Sequence, residues 1–391
     1  MKEICLIIPS LRKGGAERVV SRLSYLFSQK GYKVNICLFD DNNIDYPYEG
    51  ELFSINSPSK KGIFKALNIL LRTYRLNKYK NEFKPNVIMY SFGNSANLIN
   101  VLTTNKQKTI ISIRGFGNLN KKNNLVHFFH IWILKYIFFR SNAILSVSKD
   151  LTHYININHK LTIKKTYTIP NGYDINNKLI KQERTNDKFT FVTMGSYRPE
   201  KNYNTLLEVM KLLKANQIDC KLIILGKGDD YQTYNIRNQI SRLGLENSVE
   251  LVGYHSNPEK LLSTSDCYVL SSISEGFPNA LVEAMNCKLP IVSTNCKTGP
   301  REILDPKLKY NKKIHKFKKG AYGILVDDPN NNPKLENINN LYLAMKYMIE
   351  NDEDRSIYSA LAFERAQYYS FEKWIDSHEI IFNELKGASN E

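Results

Sequence analysis

Ser274-Glu275-Gly276-Phe277-Pro278-Asn279-Ala280-Leu281-Val282-Glu283-Ala284-Met285 is the stretch on which the reading of this chain turns. The apolar run Cys267-Tyr268-Val269-Leu270 before it reads as a buried strand, and Ser271 to Ser274 as a turn. Leu281, Val282 and Met285 then fall on one face of a helix. Asn279 is placed to cap that helix, and Pro278, which has no N–H, suits its start. Strand, turn and helix in this order aim free amides and a positive dipole end at whatever sits above them, which suits a diphosphate. Glu275 lies before the helix and Glu283 in its second turn. A carboxylate accepts two hydrogen bonds, and paired sugar hydroxyls donate two. One glutamate on a ribose and one on a hexose, with phosphates between, make a sensible nucleotide-sugar site. Spacing alone fits a solvated turn glutamate and an exposed helix glutamate equally well.

The stretch continues into Leu289-Pro290-Ile291-Val292-Ser293-Thr294 and Thr298-Gly299-Pro300-Arg301-Glu302-Ile303-Leu304. From Ser265-Asp266 onward it resembles family 4 glycosyltransferases, retaining, metal-independent enzymes of the GT-B fold. Glu275 and Glu283 match that family's two-glutamate motif. The resemblance implies that Glu275 holds donor-sugar hydroxyls and Glu283 the ribose, with the amides of Phe277, Asn279 and Ala280 towards the diphosphate.

Length and composition leave room for this. A chain of 391 residues, 42 % hydrophobic and 24 % charged, can bury two ordinary cores. The six cysteines lack C-x-x-C pairing and sit mostly in apolar runs, so they read as reduced core thiols rather than disulfides or zinc ligands. The N-terminus runs straight into a strand, so no signal peptide is expected, and no apolar run is long enough for a membrane span. The net charge of +17 is unevenly spread: residues 1–180 hold 27 basic and 10 acidic residues, the remainder 28 of each. No acidic residue occurs between Glu82 and Asp150. The first half is therefore expected to meet an anionic partner: nucleic acid, an anionic lipid surface or a phosphorylated acceptor. A lysine-rich solvated face is the plainer account of scattered lysines.

From the N-terminus, 3–8 is a continuous apolar run, as for a strand buried on both faces. Lys13-Gly14-Gly15-Ala16-Glu17-Arg18 follows, then Val19, Leu23 and Phe27 at helical spacing up to Gly31. Two glycines between strand and helix let backbone approach a ligand, although a plain β–α turn has the same pattern. The loop resembles the Gly-Gly-x-Glu loop of family 4 enzymes, which edges the cleft near donor phosphate and acceptor and so implicates Gly14, Gly15 and Glu17. Further strands at 34–39, 87–90, 109–113, 143–147 and 166–169, with helices between, imply a doubly wound parallel sheet.

Residues 125–139 are the greasiest stretch, with Lys121, Lys122 and Arg140 at its ends. It is hydrophobic nearly all round and fits both an in-plane membrane helix and a core-facing helix. His127 within it is taken as an acceptor-side or packed group, since no third metal ligand is in view. Arg114 follows a strand and is expected to contact a phosphate on the acceptor side. The asparagine-rich patches near 118–124 and 330–340 read as loops.

Asn171-Gly172-Tyr173-Asp174 resembles the family's exit from its first domain, and a polar linker is placed at 175–188. A second sheet starts at 189–194, followed by Gly195-Ser196-Tyr197-Arg198-Pro199-Glu200-Lys201-Asn202. The family carries an arginine directly after this glycine and a lysine five positions further on. Lys201 matches; Ser196 stands at the arginine position and Arg198 two residues late. Either Arg198 substitutes or Lys201 holds the diphosphate alone; a fixed cation there would stabilise the leaving group's charge. Tyr254 follows a strand and is expected to edge the nucleobase pocket. The segment 320–326 closes the second sheet in this reading, and a final helix near 371–385 returns to the first domain.

The expectation is an α/β protein of GT-B type: two Rossmann-like doubly wound domains facing across a cleft. Residues 1–174 form an acceptor-binding domain, 189–370 the nucleotide-sugar domain, and 371–391 the returning helix. Glu275, Lys201 and Arg198 are the expected catalytic residues. The donor would be a UDP-sugar carrying a hexose or N-acetylhexosamine, and the acceptor a polyprenyl-diphosphate-linked saccharide, as in bacterial capsule or O-antigen assembly. No cofactor, metal or nucleic-acid partner is expected. The enzyme is placed on the inner face of the cytoplasmic membrane, peripheral to an anionic surface. The alternatives are a GT-B nucleotide-sugar epimerase, an inert donor-binding partner of another transferase, and a nucleic-acid-binding protein, against which no recognised nucleic-acid module is seen.

Overall fold

The computed structural model describes residues 2–12, 14–58, 64–103, 106–115, 125–159, 166–175, 188–255, 257–310 and 312–387, with 65, 125–130, 158 and 159 by backbone only. The linker placed at 175–188 and the loop placed near 118–124 fall almost wholly outside these residues. The chain divides into two compact units: Met1–Gly172 with Phe371–Glu391, and Tyr173–Ser370.

Unit 1 is built on seven parallel strands, β1 (Lys2–Ile8), β2 (Tyr32–Leu38), β3 (Glu51–Ser54), β4 (Ile88–Phe92), β5 (Lys108–Ile113), β6 (Ala143–Ser146) and β7 (Thr166–Thr168). Their order is β3-β2-β1-β4-β5-β6-β7. Strand β3 is absent from the sequence reading, because half-buried Glu-Leu-Phe-Ser is too short to show a period. The helices are α1 (Gly15–Gln29), α2 (Phe64–Lys80), α3 (Asn94–Leu102), α4 (Leu125–Arg140) and α5 (Lys149–His159), with the C-terminal helix α13 (Phe371–Gly387).

Alternation along β1 splits the core. Ile4, Leu6 and Ile8 pack with Leu23 and Phe27 of α1 and Trp374, Ile375 and Phe382 of α13. Cys5 and Ile7 pack on the other face with Leu76 and Tyr79 of α2 and Ile99 of α3. Buried His378 of α13 stands among Phe27, Tyr90, Trp374 and Phe382. Its Nδ1 lies 2.8 Å from the Trp374 carbonyl, which can only accept, so Nδ1 carries the proton. Burial pulls its pKa down to about 4.

Helix α4 bears out the core-facing reading over part of its described side chains. Leu134, Ile137 and Phe138 are buried, while Trp132, Ile133 and Phe139 are exposed. One face belongs to the core and another carries aromatics into solvent.

Unit 2 repeats the plan with β8 (Phe189–Met194), β9 (Cys220–Leu225), β10 (Val249–Gly253), β11 (Cys267–Leu270), β12 (Ile291–Thr294), β13 (Phe317–Lys319) and β14 (Ile324–Val326). The order is β10-β9-β8-β11-β12-β14-β13, parallel except for β13. Its helices are α6 (Tyr203–Ala215), α7 (Asp230–Arg242), α8 (Glu259–Ser263), α9 (Asn279–Asn286), α10 (Pro300–Leu304), α11 (Lys334–Glu350) and α12 (Asp352–Gln367). Leu206, Met210 and Leu213 of α6 share a core with Leu341, Met345 and Met348 of α11. The start of α11 corrects the expectation of a loop over 330–340. Leu341, Ala344, Met345 and Met348 hold the helix on the core, and Asn337 donates back to the Pro329 carbonyl at 2.8 Å. Asparagine-rich composition hides that register. All six cysteines are buried and free, and burial pushes thiols such as Cys5 up to about 12.

Candidate active site

In unit 2 the strand order reverses between β8 and β11. Loops leaving the carboxyl ends of two such strands diverge and leave a crevice, the usual ligand position in open α/β sheets. All three catalytic side chains named from sequence, Lys201, Arg198 and Glu275, come from these two loops. Beyond β8, Gly195-Ser196-Tyr197 leads to a single 3-10 turn, Pro199–Lys201. Pro199 fixes the first φ of that turn, and Asn202 then takes a left-handed conformation (φ 55°) that swings the chain into α6.

The two loops are stitched together. Ser271 Oγ donates to the Lys201 carbonyl at 2.8 Å, and the Ile273 amide to the Glu200 carbonyl at 2.9 Å. Across this seam Lys201 Nζ donates to Glu275 Oε1 at 2.6 Å, and Ser272 Oγ donates to the same oxygen at 2.6 Å. Charge-assisted bonds of this length fix both groups. Two further loops buttress them. Thr294 Oγ1, at the end of β12, donates to the Ser272 carbonyl at 2.6 Å, and Thr298 Oγ1 to the Glu275 carbonyl. Asn330, beyond β14, donates to the Ile273 carbonyl at 2.9 Å. Four strand ends therefore converge on one carboxylate.

Glycine is required where backbone meets backbone. A Cβ on Gly226, at φ +148°, would lie 1.8 Å from the Gly195 carbonyl oxygen. Gly195 in turn lies beside the Lys201 side chain, and its carbonyl accepts from Tyr203 at 3.1 Å.

Helix α9 begins as expected but is not capped as expected. Pro278 occupies the cap position, with no side-chain cap bond, and Asn279 is already helical. The Asn279 side chain accepts from the Tyr173 phenol at 2.6 Å instead. A capping side chain must belong to the residue before the first helical one, and the phenol has taken this one. Ala280 follows in the same first turn, and half-buried Glu283 one turn further on. Phe277 is buried against Tyr369. The fully buried Tyr268 phenol has its pKa raised by burial first, then by Tyr203, Glu275 and Glu283.

The remaining residues are less closely held. Ser196 is half-buried. Arg198 has 66 % of its side chain exposed and lies 3.8 Å from Glu200. Tyr254 follows Gly253 and is exposed. In unit 1, Gly14 precedes α1 with extended backbone (φ −173°), Gly15 opens the helix and Glu17 folds back over Gly14. Burial raises the Glu17 carboxyl, against backbone N–H groups of Glu17 and Ala16 and the charge of Arg114. Arg114 donates to the Asn171 side chain. The side chain of His127 lies outside the described residues. Sequence reasoning missed Ser272, Thr298 and Tyr173. The hydroxyls of Ser271-Ser272 after a strand were a usable signal, whereas Tyr173 carries none.

Two family models match. Residues 13–177 fit the Glycosyltransferase Family 4 model, and 174–342 fit Glycosyl transferases group 1. An uncharacterised glycosyltransferase of Methanocaldococcus jannaschii is 33 % identical over 85 % of this chain and 87 % of its own. The chain is a glycosyltransferase. A second relative of this glycosyltransferase is the N-acetylgalactosamine-N,N'-diacetylbacillosaminyl-diphospho-undecaprenol 4-alpha-N-acetylgalactosaminyltransferase of Campylobacter jejuni, 28 % identical over 94 % of this chain and 96 % of that one. Among solved structures, HepE of Anabaena in complex with UDP superposes with a TM-score of 0.71 at 18 % identity, covering 99 % and 100 % of the two chains. That likeness confirms the GT-B fold. The glycosyltransferase holds Lys201 and Glu275 at the reversal of its second sheet, where this fold leaves room for a ligand.

Proposed function

We propose that this glycosyltransferase moves a hexose or N-acetylhexosamine, with retention at the anomeric carbon, from a UDP-sugar to a polyprenyl-diphosphate-linked saccharide in bacterial surface-polysaccharide assembly, at the inner face of the cytoplasmic membrane. The carrying observation is the Lys201–Glu275 pair at 2.6 Å, a cation and a sugar-binding carboxylate fixed side by side at the sheet reversal. In this reading unit 2 takes the nucleotide sugar. Lys201 meets the diphosphate with the amides at the start of α9, Glu283 meets the ribose and Tyr254 the base. The basic unit 1 takes the acceptor, with Glu17, Arg114 and His127 on that side.

In the step itself the bond from the anomeric carbon to the diphosphate oxygen breaks while the acceptor hydroxyl oxygen bonds to that carbon on the same face. The hydroxyl proton passes to the departing diphosphate. Negative charge grows on the diphosphate, so a cation already in place stabilises the transition state more than the ground state. The Campylobacter relative, named as a transferase to a diphospho-undecaprenol-linked sugar, supports the acceptor class.

The test is a panel of UDP- and GDP-sugars scored by thermal shift, then by transfer to polyprenyl-diphosphate saccharides. A UDP-sugar is expected to raise Tm and to be consumed only with acceptor. Conversion of the UDP-sugar alone would make the protein an epimerase. Transfer unaffected by Lys201→Ala would make it an inert partner of another transferase.

A further inference from the structure

Helix α2 leaves an apolar stripe uncovered. Phe64, Leu67, Leu70 or Leu71, and Tyr74 recur every three or four residues along one face, and all five are exposed. Leu70 exposes 68 % and Tyr74 70 % of its surface. The opposite face is buried, with Leu76 and Tyr79 in the core and polar anchors beside them. Asn68 donates to the Pro58 carbonyl at 2.8 Å, and Arg72 Nε and Nη2 donate to the Ser57 carbonyl at 2.9 and 2.6 Å. At the end of the helix, buried Lys80 donates to the Asn100 carbonyl at 3.1 Å and to Thr103 Oγ1 at 2.8 Å. A surface helix is expected to turn polar residues to water on the face away from the core. Here core contacts and polar anchors hold one face of the helix while a second, apolar stripe is left uncovered.

We infer that this stripe is a membrane-docking surface, seated in the headgroup region of an anionic bilayer. Four observations favour that occupant. The helix is long enough to lie in the interface, while no described helix is long and apolar enough to cross a membrane. Helix α2 packs on α3 and α3 on α4, where Trp132 and Phe139 are also exposed, so aromatics suited to an interface stand on neighbouring helices. Exposed Lys78 ends the stripe and exposed Lys135 lies on α4, and between Glu51 and Asp150 the one acidic residue is Glu82. The first 180 residues hold 27 basic against 10 acidic side chains. Like charge of that size opposes a second copy of this face and favours an anionic surface. Contiguous exposed apolar stripes rimmed by charge are otherwise rare on soluble chains. The inference rests on the proposed lipid-linked acceptor for its purpose, since a carrier embedded in a bilayer must be met at that bilayer. It adds α2 as the anchor, where the sequence pointed only to 125–139.

The full-length chain should co-sediment with vesicles containing phosphatidylglycerol, without donor or acceptor present. Binding should fall with added salt and be weak on pure phosphatidylcholine. Leu67→Glu/Leu70→Glu/Tyr74→Glu should lower the partition coefficient about a hundredfold or more, as loss of three inserted side chains implies. Leu67→Ala/Leu70→Ala should lower it by a smaller step. Both variants should keep the unfolding midpoint and the UDP thermal shift of the wild type. Wild-type protein that ignores anionic vesicles overturns the inference. So does a triple variant that still binds them, or a dimer in solution that the triple variant splits. Vesicle binding lost in the variant, with no transfer to polyprenyl-diphosphate acceptors by either protein, keeps the surface and overturns only the acceptor reading.

Discussion

Gly14 in unit 1 faces a side chain, whereas Gly226 in unit 2 faces backbone. A Cβ on Gly14 would meet Glu17 Oε2 at 2.1 Å, the far end of a flexible side chain, and its φ of −173° suits any residue. A Cβ on Gly226 would lie 1.8 Å from a carbonyl oxygen that cannot move without its strand, at a φ of +148°. Both sheets share the inner order third-second-first-fourth-fifth strand; Gly14 lies on the loop after the first strand of its sheet, and Gly226, after the second strand of its own, packs on Gly195 of the loop after the first. The difference lies in what sets their shape. In unit 2 the loops after β8, β11, β12 and β14 are bonded to one another and present a fixed charge pair. In unit 1 the glycine loop is covered by a carboxyl that burial makes easier to protonate. A loop that must hold a developing charge gains from being fixed in advance. A loop that adapts to a bulky acceptor gains from a cover that can swing away.

The harshest way to break this comparison is Gly226→Ala. It should destabilise unit 2 by at least about 3 kcal/mol, the range for strain at a special φ combined with overpacking. Transfer should be lost with it. Gly14→Ala should stay within about 1 kcal/mol of wild type, because only Glu17 has to move. Denaturant unfolding of both proteins checks the contrast, and equal costs would remove the distinction between the two loops.

Next in size are the charges themselves. Lys201→Ala and Glu275→Ala should each lower kcat by about 10²–10³, the usual effect of removing a preorganised group at a developing charge. The double variant should fall little further than the worse single one, because the 2.6 Å bond makes the two groups one unit. Full additivity in the transfer assay would mean that each acts alone.

Much of this was legible in the sequence, for particular physical reasons. Strands buried on both faces, such as 3–8 and 267–270, read as apolar runs, and the turn-and-helix stretch after β11 carries the two glutamates that the family resemblance picks out. The pairing of Lys201 with Glu275 was not legible, since it joins loops 74 residues apart that only the sheet order brings together. Asn279 was misread as a cap because its partner Tyr173 is 106 residues away. The start of α11 was hidden by asparagines that favour turns yet sit on a helix held by Leu341 and Met345. The stripe of α2 has ordinary helical spacing, and spacing alone does not tell which face the protein keeps.

The units should also part in acid. Burial holds His378 of unit 1 at about 4, whereas an unfolded histidine titrates near 6.5. Between those values the unfolded chain binds a proton that the native one refuses, so stability falls as pH drops through that window. The loss should reach roughly 3 kcal/mol once pH is below both values. In unit 2 burial raises the carboxyl of Asp328, which has the opposite sign and favours the native state in acid. Glu17 of unit 1 is raised in the same sense, so His378 is what should make unit 1 open first in acid. His378→Leu, which keeps an apolar group among the rings, should lose about 3 kcal/mol less between pH 7 and pH 4 than wild type. Parallel pH slopes for the two proteins would assign the acid response to other groups.

Arg198→Ala sharpens the comparison at its smallest scale. Lys201 and Arg198 sit three residues apart on the same loop, and only one of them is fixed. Lys201 exposes 20 % of its side chain and is bonded to Glu275, while Arg198 exposes 66 % and its nearest carboxylate oxygen, on Glu200, is 3.8 Å away. A cation that must be collected from solvent loses side-chain entropy when it meets a phosphate, and water screens its charge until it arrives. Such a group contributes at most about 1 kcal/mol, so kcat/KM should drop less than about fivefold. A hundredfold loss would mean that Arg198 closes onto the diphosphate and does the work expected of an arginine at Ser196. Ser196→Arg separates the two cases. If Lys201 alone carries the charge, a guanidinium beside it should raise affinity for UDP; if Arg198 already fills that place, the added cation should lower it through repulsion between neighbouring positive charges.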